Sequence, residues 1–170
     1  ALTFGMYGAL AEICENVPTD GSVKAIIIRG AGDNAFAAGT DISLFRDFSP
    51  EKGIESENGA AKYFSAVAIC PVPTIAAMTG ACTGGGAGIA GVCDMRIASR
   101  DMKFVFPISR TLGNTLSADT LSRMVNLIGE AKVIDLIFTS RLIEADEALH
   151  IGLINELHDD CDAVMERAWA

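Results

Sequence analysis

Residues 72–99 read VPTIAAMTGACTGGGAGIAGVCDMRIAS, and this stretch decides the fold. The prolines of CPVP hold the backbone extended, and Thr74 to Met78 then runs without polar alternation, as a strand buried on both faces does. Gly84 to Gly86 opens a small-residue helix that reaches about Val92, and Asp94 to Ser99 reads again as a short strand. Strand, helix and strand in immediate succession predict a largely parallel α/β layer.

Outward from this unit the same alternation continues. On the N-terminal side, a helix from Leu2 to Asn16 carries Leu2, Met6, Leu10 and Ile13 as one apolar face. It leads through the turn-rich Pro18 to Ser22 into a strand from Val23 to Arg29, whose Ala25, Ile26, Ile27 and Ile28 are continuously apolar. After a turn at Gly30 to Asn34 come an extended Phe36 to Gly39 and a short helix from Asp41 to about Phe48, capped by Thr40 or Asp41. Ser49 to Asn58 is charged and low in order, and a helix follows near Gly59 to Ile69. On the C-terminal side, Lys103 to Phe106 and Leu153 to Leu157 read as strands. Leu116 to Ile128, Glu130 to Thr139 and Ala145 to His150 read as helices. The expectation is one α/β domain over residues 1–170, with short buried strands alternating with helices. The chain opens abruptly in helical text, so preceding residues are expected to be missing.

Composition narrows the function. The 170 residues, half of them apolar, are enough for one sizeable core. Thirteen basic against 22 acidic residues give a net charge of -9, which opposes the phosphate attraction that nucleic-acid binding relies on. A single phosphorylated ligand is still compatible, because a helix N-terminus and a few local cations can hold one. The five cysteines form no C-x-x-C pair, so reduced thiols in a cytoplasmic protein are expected, with no disulfide framework and no zinc site. With only His150 and His158 available no metal is expected, and His158, Asp159, Asp160 and Asp162 read as a solvated acidic loop. Residues 63–93 carry no charge. Pro71, Pro73 and the glycines from Gly80 to Gly91 nevertheless exclude a spanning helix, and no basic flank or aromatic belt would anchor one. No secretion signal is apparent.

Two segments carry chemistry, each placing unhindered backbone amides just after a buried strand. In FAAGTDI, Phe36 to Ile42, Gly39 turns the chain and leaves the Thr40 N–H at a helix entrance. The other is GACTGGGAG, Gly80 to Gly88. Consecutive glycines each cost about 0.5–1 kcal/mol relative to alanine in regular structure, so the backbone must require them. Three readings compete. Gly86, Gly88 and Gly91 spell the G-x-G-x-x-G of a dinucleotide site, but a strand ending near Met78 stops too early for the tight turn that motif needs. Close packing of a helix is the structural reading. The third is an oxyanion cradle, with amides at a helix N-terminus facing developing negative charge.

Taken together and in order, VKAIIIRG, DNAFAAGTDI, the glycine stretch, KFVFP and SRLIEADEALHIGLINEL resemble the crotonase, or enoyl-CoA hydratase/isomerase, family over almost the whole chain. Family members are longer, so the resemblance implies an absent N-terminal strand and C-terminal helical region. It further implies that the N–H groups of Thr40 and Gly85 form an oxyanion hole for a thioester oxygen. Ala38, Thr40, Asp41, Ile42 and Gly84 would line the coenzyme A groove, and Thr40 is tolerated if its side chain points away. Coenzyme A enters as part of an acyl-CoA substrate, with no resident cofactor, and assembly as a homotrimer or hexamer is expected. The chain departs from the family's hydratases where they place two glutamates, here Gly88 and Ile108. Hydration needs one group to activate water and one to protonate the α-carbon, and neither residue does this. Arg110 is the candidate substitute, with Ser109, Thr111 and Asn114 read as caps of the next helix, and Asp94 reads as structural. The expected activity is a hydratase/isomerase-family reaction through a thioester enolate, without the glutamate pair. The alternative is a catalytically silent CoA-thioester-binding or assembly subunit.

Overall fold

The computed structural model describes residues 1–40, 49, 59 and 61–170. The expected helix at Asp41 to Phe48 and most of the stretch Ser49 to Asn58 lie outside the described residues.

In chain order the elements are α1 (Phe4–Glu15), β1 (Ile26–Arg29), β2 (Ala35–Ala37), α2 (residues 61–68), β3 (Thr74–Met78), β4 (Ala81–Thr83), α3 (Gly85–Val92), β5 (Met95–Ser99) and β6 (Lys103–Val105). They continue with α4 (Ile108–Leu112), α5 (Ala118–Ile128), α6 (Glu130–Thr139), β7 (Ile143–Glu144), α7 (Ala145–His150), β8 (Glu156–His158) and α8 (Cys161–Trp169). The strands form two four-stranded sheets, ordered β1-β3-β5-β8 and β2-β4-β6-β7, and from β1 to β6 successive strands alternate between them. Among the named strands every pairing is parallel except that of β6 with β7. The α/β class read from the alternation is therefore the class observed.

The alternation depends on sharp corners where the chain passes from a strand of one sheet to the next strand in the other. Between β3 and β4 the corner is Gly80, where a Cβ would stand 2.0 Å from the carbonyl oxygen of Asn34. No side chain fits against that backbone. Lys103 N–H donates to the Gly80 carbonyl at 2.9 Å and fixes the corner on β6.

Burial explains the apolar runs. Ala76, Ala77 and Met78 of β3 and Ile97 and Ala98 of β5 are essentially inaccessible to solvent, as strands covered on both faces should be. One large cluster joins β3, β4 and α3 to α5, α6 and α7. A smaller one, Ala77, Ile97, Val164 and Ala168, lies under α8. Arg96 is buried, and among the described residues its guanidinium makes no ion pair within 4 Å. Its guanidinium donates instead to the carbonyls of Cys93 at 2.6 Å, Leu153 at 2.8 Å, Ala90 at 3.2 Å and Asp94 at 3.3 Å. That satisfies its donors where burial disfavours the charge. Asp94 accepts from both the N–H and the hydroxyl of Thr74, at 2.8 and 2.9 Å, so it fastens β3 to the end of α3, the structural role read for it.

Several boundaries differ from expectation. The buried face of α1 is Tyr7, Ala11 and Cys14, whereas Met6 and Ile13 of the predicted apolar face are 51% and 56% exposed. Strand β1 begins at Ile26, where pairing with Thr74 starts. The last strand is Glu156 to His158 because Leu153 and Ile154, although buried, turn their N–H groups back onto the Ala148 carbonyl at the end of α7. Strand β4 and helices α4 and α8 were not anticipated. The acidic stretch read as a solvated loop is in part a helix start, since Asp160 accepts from Ala163 N–H at 2.9 Å and caps α8. Among the described residues no helix is long and apolar enough to cross a membrane.

Candidate active site

Strands β2 and β4 run side by side and parallel, Ala35 opposite Ala81 and Ala37 opposite Cys82, so the turns that leave them emerge together. The first turn passes Gly39, φ 88°, and the second Gly84, φ 52°, both left-handed conformations that favour glycine. The turns touch. A Cβ on Gly84 would lie 3.6 Å from the Gly39 Cα, and one on Gly39 would lie 3.3 Å from Thr83 Oγ1. Leu2 N–H donates to the Gly39 carbonyl at 2.7 Å, and Gly84 N–H donates to the Val105 carbonyl at 3.0 Å. Among the described residues, the N–H groups of Thr40 and Gly85 donate to no acceptor. Gly85 is the first residue of α3, where a helix has amides without intrahelical partners and a partial positive charge.

The glycine run divides its labour. A Cβ on Gly86 would meet Ala37 Cβ at 2.5 Å, one on Gly88 would meet the Phe64 ring at 2.8 Å, and one on Gly91 would meet Met124 Sδ at 2.9 Å. These three let α3 pack against β2, α2 and α5, which answers the dinucleotide reading on geometry. The strand that precedes the glycines is β4, ending at Thr83, rather than one ending near Met78, so the strand-to-glycine spacing does not itself exclude a dinucleotide turn.

Thr40 departs from expectation. Its side chain does not point away from the turn: Oγ1 and the Tyr7 hydroxyl lie 2.8 Å apart, and Oγ1 is 2.8 Å from where a Gly85 Cβ would stand. Tyr7 is the residue that sequence reasoning missed. Its ring stacks on Tyr63 at 5.9 Å and meets Phe64 edge-on at 5.9 Å, and burial raises its pKa above the ordinary phenol value against the opposing pull of Thr40. The available signal was its spacing with Ala11 and Cys14 on one helical face.

The remaining candidates fall as follows. Ala38 is exposed beside the first turn and Gly84 is partly buried in the second; Asp41 and Ile42 lie outside the described residues. Gly88 faces Phe64, so an aromatic ring occupies the direction in which the resemblance places a glutamate. Ile108 opens α4 and is partly buried. Arg110 is exposed and makes no ion pair among the described residues. Ser109, rather than capping, ties α4 to α6 through the Ile137 carbonyl and the Ser140 hydroxyl. Thr111 donates to the Pro107 carbonyl, and Asn114 accepts from Thr115 N–H. A surface hollow of about 270 Å³ near Asp94, Arg96 and Arg123 lies apart from the paired turns, and the Arg96 guanidinium there already serves four carbonyls.

Fold and site together define a two-sheet α/β domain in which backbone donors stand at the ends of adjacent parallel strands. The chain belongs to the enoyl-CoA hydratase/isomerase family, whose model matches residues 1–170. It is 38% identical to a short-chain-enoyl-CoA hydratase of Clostridium acetobutylicum, over 83% of this chain and 54% of that one. It is 30% identical to the mitochondrial Delta(3,5)-Delta(2,4)-dienoyl-CoA isomerase of Mus musculus, over 100% of this chain and 55% of that one. Among solved structures, an enoyl-CoA hydratase/carnithine racemase from Magnetospirillum magneticum superposes with a TM-score of 0.91 at 33% identity, covering 99% of this chain and 64% of that one. The chain thus spans about half the length of the curated relatives it matches.

Proposed function

We propose that the protein binds an acyl-CoA thioester and stabilises its enolate with the N–H groups of Thr40 and Gly85. The observation that carries this reading is the contact of the two glycine turns at the ends of β2 and β4, with both amides unengaged among the described residues. A thioester oxygen seated between them gains negative charge as the α-carbon loses its proton, and two fixed donors favour that state over the ground state. One such donor contributes about 3–4 kcal/mol in a comparable acyl-transfer hole. Ala38, Asp41, Ile42 and Gly84 are assigned to the coenzyme A groove.

Hydration by two carboxylates is not the reaction favoured here, since Phe64 fills the direction in front of Gly88 and Ile108 has no titratable group. Isomerisation, decarboxylation or carbon–carbon cleavage remain, in which the substrate supplies part of the acid/base chemistry. Arg110 is retained only as a candidate contact to a substrate carboxylate or phosphate. A trimeric or hexameric assembly is proposed from the family resemblance alone. The filled Gly88 position also favours a second reading, a silent CoA-thioester-binding subunit.

The test is thermal stabilisation by crotonyl-CoA beside NAD, followed by turnover of a panel of enoyl-CoA and β-ketoacyl-CoA thioesters. A ligand at 100 times its Kd stabilises by about 2.7 kcal/mol. Stabilisation by the thioester with turnover supports the enzyme, and stabilisation without turnover supports the silent subunit. Stabilisation by NAD alone refutes both.

A further inference from the structure

Building on the enolate site just described, we propose that the Tyr7 hydroxyl is a third hydrogen-bond donor to the thioester oxygen, aimed by Thr40. Helix α1 places Tyr7 on its buried face, and the Tyr63 and Phe64 rings hold the phenol between a stacked and an edge contact. The hydroxyl then reaches the junction of the two glycine turns. It lies 2.8 Å from Thr40 Oγ1, and a Cβ on Gly85 would be 1.8 Å from it. Gly85 therefore lacks a side chain because the phenol oxygen and, at 2.8 Å, Thr40 Oγ1 stand where its Cβ would be.

The chemistry of this contact favours donation to a ligand. A phenol has one hydrogen and can also accept. When the Thr40 hydroxyl gives its hydrogen to the Tyr7 oxygen, the phenolic hydrogen is left for a carbonyl oxygen lying between Thr40 and Gly85. Burial holds Tyr7 protonated well past neutral pH, so it is a neutral donor; a tyrosinate would repel the enolate. A donor that strengthens its bond as charge develops acts on the transition state more than on binding.

The experiment uses the full chain with a conjugated dienoyl-CoA as chromophoric probe, carbonyl-labelled for infrared difference spectroscopy. Binding is expected to shift the absorption to the red and lower the carbonyl stretch. Tyr7→Phe keeps the ring contacts and is expected to bind the probe with a similar Kd, yet to lose a measurable part of both shifts. For any panel thioester that turns over, kcat/KM should fall about 100-fold, the lower end for one lost donor. Thr40→Val should lose part of the shifts, and Thr40→Ser should retain them; this pair decides the matter if Tyr7→Phe does not fold. Shifts as large in Tyr7→Phe, or in Thr40→Val, as in the unaltered chain overturn the role of Tyr7 and leave the two-amide site standing. An unaltered chain that binds no thioester, or binds it without polarisation, overturns the underlying site and this proposal with it.

Discussion

Replacing Gly86 with alanine tests whether helix α3 sits as close to strand β2 as the geometry requires. The new Cβ would lie 2.5 Å from Ala37 Cβ and 2.7 Å from the Ala37 carbonyl oxygen, about 1 Å inside ordinary contact for carbon. Neither obstacle can swing aside, because one is backbone and the other is fixed to it, so α3 must move. Overpacking of this kind costs about 1–3 kcal/mol, and alanine's helix propensity returns up to about 1 kcal/mol. A net loss of up to about 2 kcal/mol follows, or up to roughly 6 °C in Tm for a domain of this size. Gly8→Ala is the control, since Gly8 lies inside α1 and a Cβ there would meet nothing within 4 Å. It should gain about 0.5–1 kcal/mol. Urea unfolding of both variants, read from the midpoint at constant slope, measures the difference. A Gly86→Ala protein as stable as Gly8→Ala would refute the close approach, and with it the packing account of the glycine run.

Three further outcomes are expected. Arg96→Met strands three buried carbonyls and the part-buried Asp94 carbonyl that the guanidinium now satisfies and should lose about 3 kcal/mol or more; a near-neutral change by chemical unfolding would show that water replaces it. Gly88→Glu should lose about 1–3 kcal/mol by pressing on Phe64, and adding Phe64→Ala should cost less than the sum of the two single changes; strict additivity of the two would deny the contact. Burial pushes the Cys14 thiol up to about 11 and the Cys93 thiol to about 12, above the unfolded value of about 8.5. The folded state then holds protons that the unfolded chain releases, so their stabilisation is full below about pH 8.5 and is lost as pH rises through 11 and 12; a Tm that stays level between neutral pH and this range contradicts the burial.

How much of this was legible depended on whether an element carries its own signal. Helices α6 and α7 begin and end where the sequence places them, and β3 is a plain apolar run. Strand β4 has no such texture: Ala81, Cys82 and Thr83 are a strand because β2 and β6 flank them on either side. Helix α8 was hidden by its acidic start, since an aspartate that caps a helix and one in a solvated loop read alike until an N–H is found at the oxygen. Of the apolar face Leu2, Met6, Leu10 and Ile13 that the spacing predicts for α1, Leu2 and Leu10 pack against the core while Met6 and Ile13 stay exposed, and the fully buried stripe is Tyr7, Ala11 and Cys14. Both stripes satisfy helical spacing, and only tertiary contact separates them. The two glycine turns are legible in the sequence through the glycines themselves, Gly39 after an extended segment and Gly84 to Gly86 as a run, although the strand directly before the second, β4, is not. The side chains around them were not, since the direction of Thr40 Oγ1 is set by Tyr7, more than thirty positions away.

One consequence joins the glycines to the chemistry. The position of the Gly85 amide relative to Thr40 is not set by the turn alone, because Gly85 begins a helix whose seat is fixed further along by Gly86 on Ala37, Gly88 on Phe64 and Gly91 on Met124. Phe64 also holds the Tyr7 ring, so a single aromatic side chain meets both the helix carrying one amide and the phenol beside it. A change at Phe64 should therefore disturb the site from two directions at once, whereas a change at Met124 acts through α3 alone. The separation between donors is thus inherited from core packing, which is stiff on the scale of a few tenths of an ångström. If the proposed thioester oxygen is seated there, a site built this way is preorganised before the ligand arrives, as stabilisation of a developing oxyanion requires.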